Sequence, residues 1–168
     1  GLTLTAGLDD QGLFGCSSGT IGNLGIVRGN ISVGSAERIG AICGYSTGTI
    51  ENCWNSADIT GSTEGGKYVG GICGYSTGTI YGCLNMGDIT ANSFIGGICG
   101  NTAQSTQISN CFNSGSITGK EQIGGIAGIN LNYITFCINA GELTGEESVY
   151  AVSHSDDVRN IYASISYS

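Results

Sequence analysis

Three groups of residues in this 168-residue chain have types and spacings that could do chemistry. Cys43, Cys73 and Cys99 follow one another at intervals near a repeat length, as do Cys53, Cys83, Cys111 and Cys137, with Cys16 apart. Such cysteines could form disulfides, ligate a soft metal or act as nucleophiles. Asp58 and Asp88 could serve as the carboxylate pair of a glycosidase, one donating a proton and the other attacking or activating water. Ser153-His154-Ser155-Asp156-Asp157 holds the single histidine beside hydroxyls and carboxylates, the ingredients of a hydrolytic triad.

The elements that must position these residues come from a repeat. AICGYSTGTIENCWNSADIT at 41–60 returns as GICGYSTGTIYGCLNMGDIT at 71–90, then more loosely at 97–118 and 125–144, with degenerate copies at 12–33 and 149–166. Ile39, Val69, Ile95, Ile123 and Val149 open successive copies at spacings of 30, 26, 28 and 26 residues. The basic unit is therefore about 26 residues, with polar insertions in Gly61–Tyr68 and Asn101–Gln107. A period of this size means one supersecondary unit stacked on itself. The whole of 1–168 reads as a single domain with coils at about 11–38, 39–68, 69–94, 95–122, 123–148 and 149–168.

Within a copy the apolar residues come in short runs split by Gly, Ser, Thr, Asn and Asp, which argues for strands and turns. The second coil reads as strands near Ile39–Tyr45, Thr49–Trp54 and Asp58–Thr60, with turns at Ser46–Gly48 and Asn55–Ala57. Asn and Gly in the second turn of later copies, as at Asn113–Ser116 and Asn139–Glu142, suggest positive φ, although Ala57 takes the glycine's place in the second coil. The expectation is an all-β, right-handed parallel β-helix of about six coils with three short strands each. The lack of proline fits strands paired on both sides.

Placing residues in columns changes the chemical reading. The first cysteine slot also takes Phe14 and Ala127, and the second takes Leu24 and Ile161. A slot that accepts Phe, Ala, Leu or Ile is a packing slot, so free, buried thiols are expected, with Cys16 in line with Tyr45 and Tyr75 as the exposed one. A disulfide between stacked neighbours has the distance but seldom a relaxed dihedral, and a metal site lacks CxxC pairs and histidines. Asn55, Asn85, Asn113 and Asn139 form a ladder in which stacked amides can bond one another. The Asp58–Asp88 column is interrupted by Ser116 and continues at Glu142, with no basic cluster beside it and no calcium-loop signature. Adjacency of Ser, His and Asp at 153–157 does not make them converge, and the Gly-x-Gly runs recur in every coil without a following Lys-Ser/Thr. The reading assigns no catalytic residue, no metal and no cofactor.

Two columns remain. Thr47-Gly48-Thr49 and Thr77-Gly78-Thr79 hint at the flat Thr rows of ice-binding solenoids, but the row fails at 105–108 and 132–134. Trp54, Leu84, Phe112, Ile138 and Tyr162 form a stripe of large apolar side chains, the candidate interaction stripe. Strict alternation from an inward Cys53 puts it outside as a partner-binding ridge. A corner between Ile50 and Cys53 that flips the parity puts it in the core, which is the expectation for so many large apolar residues.

The formal net charge is −8, and the scattered basic residues Arg28, Arg38, Lys67, Lys120 and Arg159 disfavour nucleic acid. No apolar run approaches a membrane span or reads as a signal peptide, so no membrane insertion is expected. A surface of Ser, Thr, Asn and Gly suits an extracellular setting. The chain opens directly in strand-like sequence and reads as a piece of a larger polypeptide.

The phrase Gly-Gly-Ile-Cys-Gly-Tyr-x-x-Gly-Thr-Ile, followed by Asn-Cys and Gly-Asp-Ile-Thr, resembles the GLUG repeat over roughly residues 11–166. That resemblance implies a secreted or surface-attached bacterial protein, since the repeat occurs in immunoglobulin A peptidase-like proteins and haemagglutinin-like adhesins. It carries over no protease activity, because the HExxH zinc site of the peptidase relatives has no counterpart here. Cysteine where such repeats often carry Ser or Val is a departure. The expected function is a non-catalytic spacer or adhesive scaffold contacting a host or cell-surface protein or glycan; the alternative is a fragment of a β-helix polysaccharide hydrolase or lyase.

Overall fold

A computed structural model describes residues 2–4, 9–34, 36–61, 68–154, 158–159 and 162–163, with side chains over 9–34, 36–61 and 68–154. One coil shows the plan: strands Arg38–Gly40, Cys43–Ser46, Thr49–Glu51, Trp54–Asn55 and Asp58–Thr60 follow one another around the axis. Each pairs in parallel with its counterparts in the coils before and after, so the chain builds five parallel sheets of six strands each. The sheets are named below after the first residue of these strands. The result is a β-solenoid of about five turns with roughly 28 residues per turn.

The coil has five strands and not the three expected from the sequence. The run Ile39–Tyr45 bends at Ala41–Ile42, and Thr49–Trp54 breaks at Asn52–Cys53. The first bend is built from fully buried apolar residues, so it carries none of the polar turn chemistry by which corners are read from sequence. Close approach makes it feasible: a Cβ on Gly40 would lie 2.4 Å from the Cys43 carbonyl oxygen, and the equivalent glycines Gly70, Gly96 and Gly124 are as tightly placed.

Inward columns of β-branched residues form the core. Ile31, Ile59, Ile89 and Ile117 stack in one sheet, Ile39, Val69, Ile95 and Ile123 in another, and Ile50, Ile80, Ile108 and Ile134 in a third. Each of these is at most 1% exposed. Isoleucine suits both requirements, a stiff χ1 on an extended backbone and a large apolar surface, contributing about 1.5–3 kcal/mol per buried side chain. The later sequence insertion sits at a corner. Thr102 pairs with Ser76 and Gln107 with Thr79, so the extra residues fall in Ala103–Thr106, where the Thr106 amide donates to the Ala103 carbonyl at 3.0 Å. The core of the other insertion, 62–67, lies outside the described residues.

The corner before the second cysteine column is left-handed in every described coil. Asn23, Asn52, Gly82, Asn110 and Phe136 occupy it with φ of 55, 51, 62, 53 and 54°. Asn and Gly tolerate this region, whereas a bulky residue costs about 1–2 kcal/mol there. Phe136 is also 57% exposed, so Phe136→Asn should stabilise the fold by about 0.5–1 kcal/mol, read as a raised urea midpoint with unchanged slope. The Asn-x-Gly turn differs from expectation. Gly87, Gly115 and Gly141 do not have positive φ; a Cβ on each would meet the carbonyl oxygen of the coil beneath at 2.0 Å. Glycine is needed there for stacking distance, which is why Ala57 can take the slot over the differently arranged first coil.

Candidate functional site

The cysteines are all free; Cys16 is exposed and the other seven are buried. Register places Phe14, Cys43, Cys73, Cys99 and Ala127 in one column. Each thiol donates to a carbonyl two residues away in its own coil. Cys43, Cys73 and Cys99 reach forward to Tyr45, Tyr75 and Asn101 at 3.1–3.2 Å. Cys53, Cys83, Cys111 and Cys137 reach back to Glu51, Tyr81, Ser109 and Thr135 at 3.3–3.4 Å. The amides of Cys83 and Cys111 in turn donate to the sulfur one coil on, at 3.4 Å. Sulfur fills a small apolar slot, as Ala127 also does, and in addition satisfies backbone groups, which a methyl group cannot.

Burial and thiol–thiol contacts hold several of these groups protonated. The Cys43 thiol is raised by its contact with Cys73 and by burial, Cys53 and Cys73 chiefly by burial, and Cys111 by its neighbours Cys137 and Cys83. Cys16, donating to the Asp10 carboxylate at 3.0 Å, is also raised, first by that bond. The contacts with Cys111 lower Cys83 and Cys137 instead. The consequence for stability has a definite sign. Below the ordinary thiol value of 9.0 the buried Cys73 keeps its proton in both states and adds no pH dependence. Above it the unfolded chain loses the proton that the fold retains on Cys73, so this thiol makes stability fall by up to about 1.4 kcal/mol per pH unit. Urea melts between about pH 8 and pH 10 should show this loss, and Cys73→Ala should make the slope shallower by one proton.

The asparagine ladder is complete. Nδ2 of Asn55, Asn85 and Asn113 donates to Oδ1 of the next asparagine at 2.9, 2.8 and 2.8 Å. The same Nδ2 atoms, and that of Asn139, also donate to the carbonyl two residues on, at 2.8–3.1 Å. All four side chains are fully buried. The aspartates have backbone work as well: Asp58 Oδ1 accepts from the Asp88 amide at 3.0 Å, and Asp88 Oδ1 from the Ser116 amide at 2.8 Å. Both carboxylates are exposed on the outside of the coil. His154 packs edge-on against Tyr150, centroids 4.9 Å apart; Ser155, Asp156 and Asp157 lie outside the described residues.

The apolar stripe points outward, against the core placement expected above. Trp54 pairs with Gly25 on one side and Leu84 on the other, and Leu84, Phe112, Ile138 and Tyr162 continue the column. Trp54 and Ile138 are each 39% exposed, and Leu84 and Phe112 are half-buried; the Tyr162 side chain lies outside the described residues. The corner between Ile50 and Cys53 does exist, but with Asn52 left-handed it takes three residues to bring Cys53 back to the interior, so Trp54 emerges outside. The Trp54 ring lies across Gly25, where a Cβ would be 1.8 Å from its Cε2. Tyr81, Met86 and Phe136, exposed by 44, 44 and 57%, flank the stripe at neighbouring corners. Beside it a shallow depression lined by Gln107, Ile108, Ser109, Tyr133 and Thr135 contains no carboxylate.

A second aromatic group was not singled out from the sequence. Across the bend at Ala41–Ile42 and its repeats, Tyr45 and Tyr75 pack at 5.6 Å, Tyr68 and Tyr75 at 5.8 Å, and Tyr68 and Phe94 at 5.3 Å. The Arg38 guanidinium lies 4.9 Å from the Tyr45 ring and pairs with Asp10. The signal was present in the repeated Gly-Tyr-Ser, but only the bend brings Arg38 and Tyr68 opposite that column. These rings are half-buried against each other, which makes them a brace more than a ridge. No family model, curated protein or solved structure matches the chain.

Proposed function

We propose that this chain is a non-catalytic solenoid module of a secreted or cell-surface bacterial protein, a spacer whose Trp54 sheet offers an adhesive ridge to a protein or glycan. The observation that carries this reading is the division of labour among side chains. The columns with reactive chemistry, Cys, Asn and Asp, are engaged in packing and in hydrogen bonds within and between coils, while the outward column of Trp54, Leu84, Phe112 and Ile138 has no such partner role. Exposed large apolar side chains in a contiguous strip are a common form of binding surface, and a rod of stacked coils presents them at a fixed spacing of about 4.8 Å. The resemblance of the repeated phrase to the GLUG repeat supports the bacterial surface setting and an extracellular location. No nucleic-acid or membrane partner belongs to this reading.

The test is binding of the purified chain to arrays of polysaccharides and extracellular proteins, with Trp54→Ser/Phe112→Ser beside the parent. Specific binding that drops at least about tenfold in the variant, with melting unchanged, is the expected result. Binding insensitive to the ridge would refute the adhesive role. Polysaccharide cleavage that disappears in Asp58→Asn or Asp88→Asn would overturn the non-catalytic assignment itself.

A further inference from the structure

The charges bordering the middle of the ridge are of one sign. Around the coil, the Thr49 and Asp58 sheets lie on either side of the Trp54 sheet. In the second, third and fourth coils these three sheets and the turns joining them carry Glu51, Asp58 and Asp88 and no basic residue. Glu51 stands on the flank before the ridge, next to Gly22 of the neighbouring coil, where a Cβ would meet its Cγ at 3.2 Å. Asp58 and Asp88 stand in successive coils on the flank after it. Arg38 is paired with Asp10, and Lys120 lies at a corner that does not border the Trp54 sheet. Arg28 in the first coil and Arg159 in the sixth stand at least one coil from this stretch, and Lys67 lies outside the described residues. Trp54 adds a preference for the same kind of partner. A Cβ on Gly25 would lie 1.8, 2.1 and 2.3 Å from Cε2, Cζ2 and Nε1 of the indole, so one ring face rests on the first-coil strand and the other turns to solvent. An open indole face attracts a cation through its quadrupole, more strongly than any other side-chain ring.

We propose that the ridge receives a basic polypeptide segment, with apolar side chains against Trp54, Leu84 and Phe112 and Lys or Arg side chains reaching the indole face and the carboxylates on both flanks. This rests on the adhesive reading above and selects protein, not glycan, as the partner. A short segment is enough: the three coil steps from Trp54 to Ile138 span roughly 14 Å, the reach of about four extended residues. Lys and Arg suit such a surface because their methylene stems cover apolar area while the charged heads extend past it. An acidic partner is repelled by the flanking carboxylates and by the chain's net charge of −8. A neutral sugar could stack on the indole but would gain nothing from the charge on either side. The carboxylates steer a cationic segment onto the ridge and reject other partners, so binding weakens as salt screens them.

Trp54 is the single tryptophan of the chain, so its fluorescence reports occupancy of the ridge directly. The probes are a short capped peptide of alternating lysine and valine, its glutamate–valine and lysine–serine counterparts, and a neutral cello-oligosaccharide. The expected result is a saturable change in Trp54 emission with the lysine–valine peptide alone, its affinity falling between about 0.02 and 0.5 M salt. Asp58→Asn/Asp88→Asn should weaken that binding about fivefold at low salt and hardly at high salt. Asparagine keeps the Oδ1 that accepts from the next coil's amide, so the fold is retained. Glu51→Gln, on the opposite flank, gives an independent check with an expected loss of about twofold at low salt. No response to the lysine–valine peptide, an equal response to the glutamate–valine peptide, or a loss in the variants that persists undiminished at high salt overturns the proposal. A response to the oligosaccharide alone also overturns it, while leaving the adhesive ridge standing with a glycan as its partner. Failure of the ridge itself reads differently, as array binding that Trp54→Ser/Phe112→Ser does not change.

Discussion

Asn85→Ala should lower the free energy of unfolding by about 3 kcal/mol, a large share of the roughly 5–15 kcal/mol that holds a typical domain. Asn85 sits in the middle of the ladder. It accepts from Asn55 Nδ2 and donates to the Gly87 carbonyl and to Asn113 Oδ1. Truncation leaves both acceptors and one amide hydrogen without that partner in a region closed to water, and each buried orphan costs about 1–3 kcal/mol. The loss is bounded because Asn55 Nδ2 keeps the Ala57 carbonyl. Asn139→Ala gives the comparison. Asn139 accepts from Asn113 and bonds Gly141 within its own turn, so it links to one described asparagine where Asn85 links to two, and its loss should be clearly smaller. Urea unfolding of the two variants measures both. Equal effects would mean that each amide acts only within its own turn and that the stacking bonds contribute nothing.

The ladder was legible in the sequence because it depends on recurrence alone: Asn two residues after the column cysteine in four successive coils. The cysteine columns were legible for the same reason, since Phe14 and Ala127 in equivalent slots mark packing. Corners were harder. Polar turns such as Ser46–Gly48 announce themselves, but the bend at Ala41–Ile42 is made of core residues and has no turn signature, so two strands read as one. The same difficulty decided the placement of the Trp54 stripe. Its side depends on the three-residue step from Ile50 to Cys53, and that step depends on a left-handed Asn52. A lone Asn in an apolar run is weak evidence of a left-handed residue, although Asn23, Gly82 and Asn110 at equivalent positions together amount to a signal. Phe136 in that slot hides it in the fifth coil. What remained out of reach was the contact between coils across a bend, which brings Arg38 to Tyr45 and Tyr68 to Tyr75, because no spacing along one coil encodes it.

Stacking distance, the property least visible in residue type, governs the second large effect. Gly19, Gly48 and Gly78 follow Ser18, Thr47 and Thr77 at the same corner of successive coils. A Cβ on Gly78 would lie 1.8 Å from the Gly48 carbonyl oxygen and 2.8 Å from its carbonyl carbon; one on Gly48 would lie 2.1 Å from the Gly19 oxygen; one on Gly19 would meet nothing within 4 Å. The obstacle is backbone, and that backbone is held in turn by the Thr79 amide, which donates to the Gly48 carbonyl at 3.0 Å. Gly78→Ala must therefore push two coils apart at this corner or break that bond. The expected cost is about 4 kcal/mol or more, at the extreme end for a single methyl group. Gly19→Ala, in the same turn with no coil against it and no positive φ, should be neutral or stabilising by about 0.4–1 kcal/mol, because it restricts only the unfolded chain. Thermal and urea unfolding of the pair separates the two causes: propensity would move both variants alike, whereas contact between coils moves only the one that has a coil beneath it. A mild effect at Gly78 would show that the corner yields, and a solenoid whose corners yield could not hold its outer ridge at a fixed spacing for a partner.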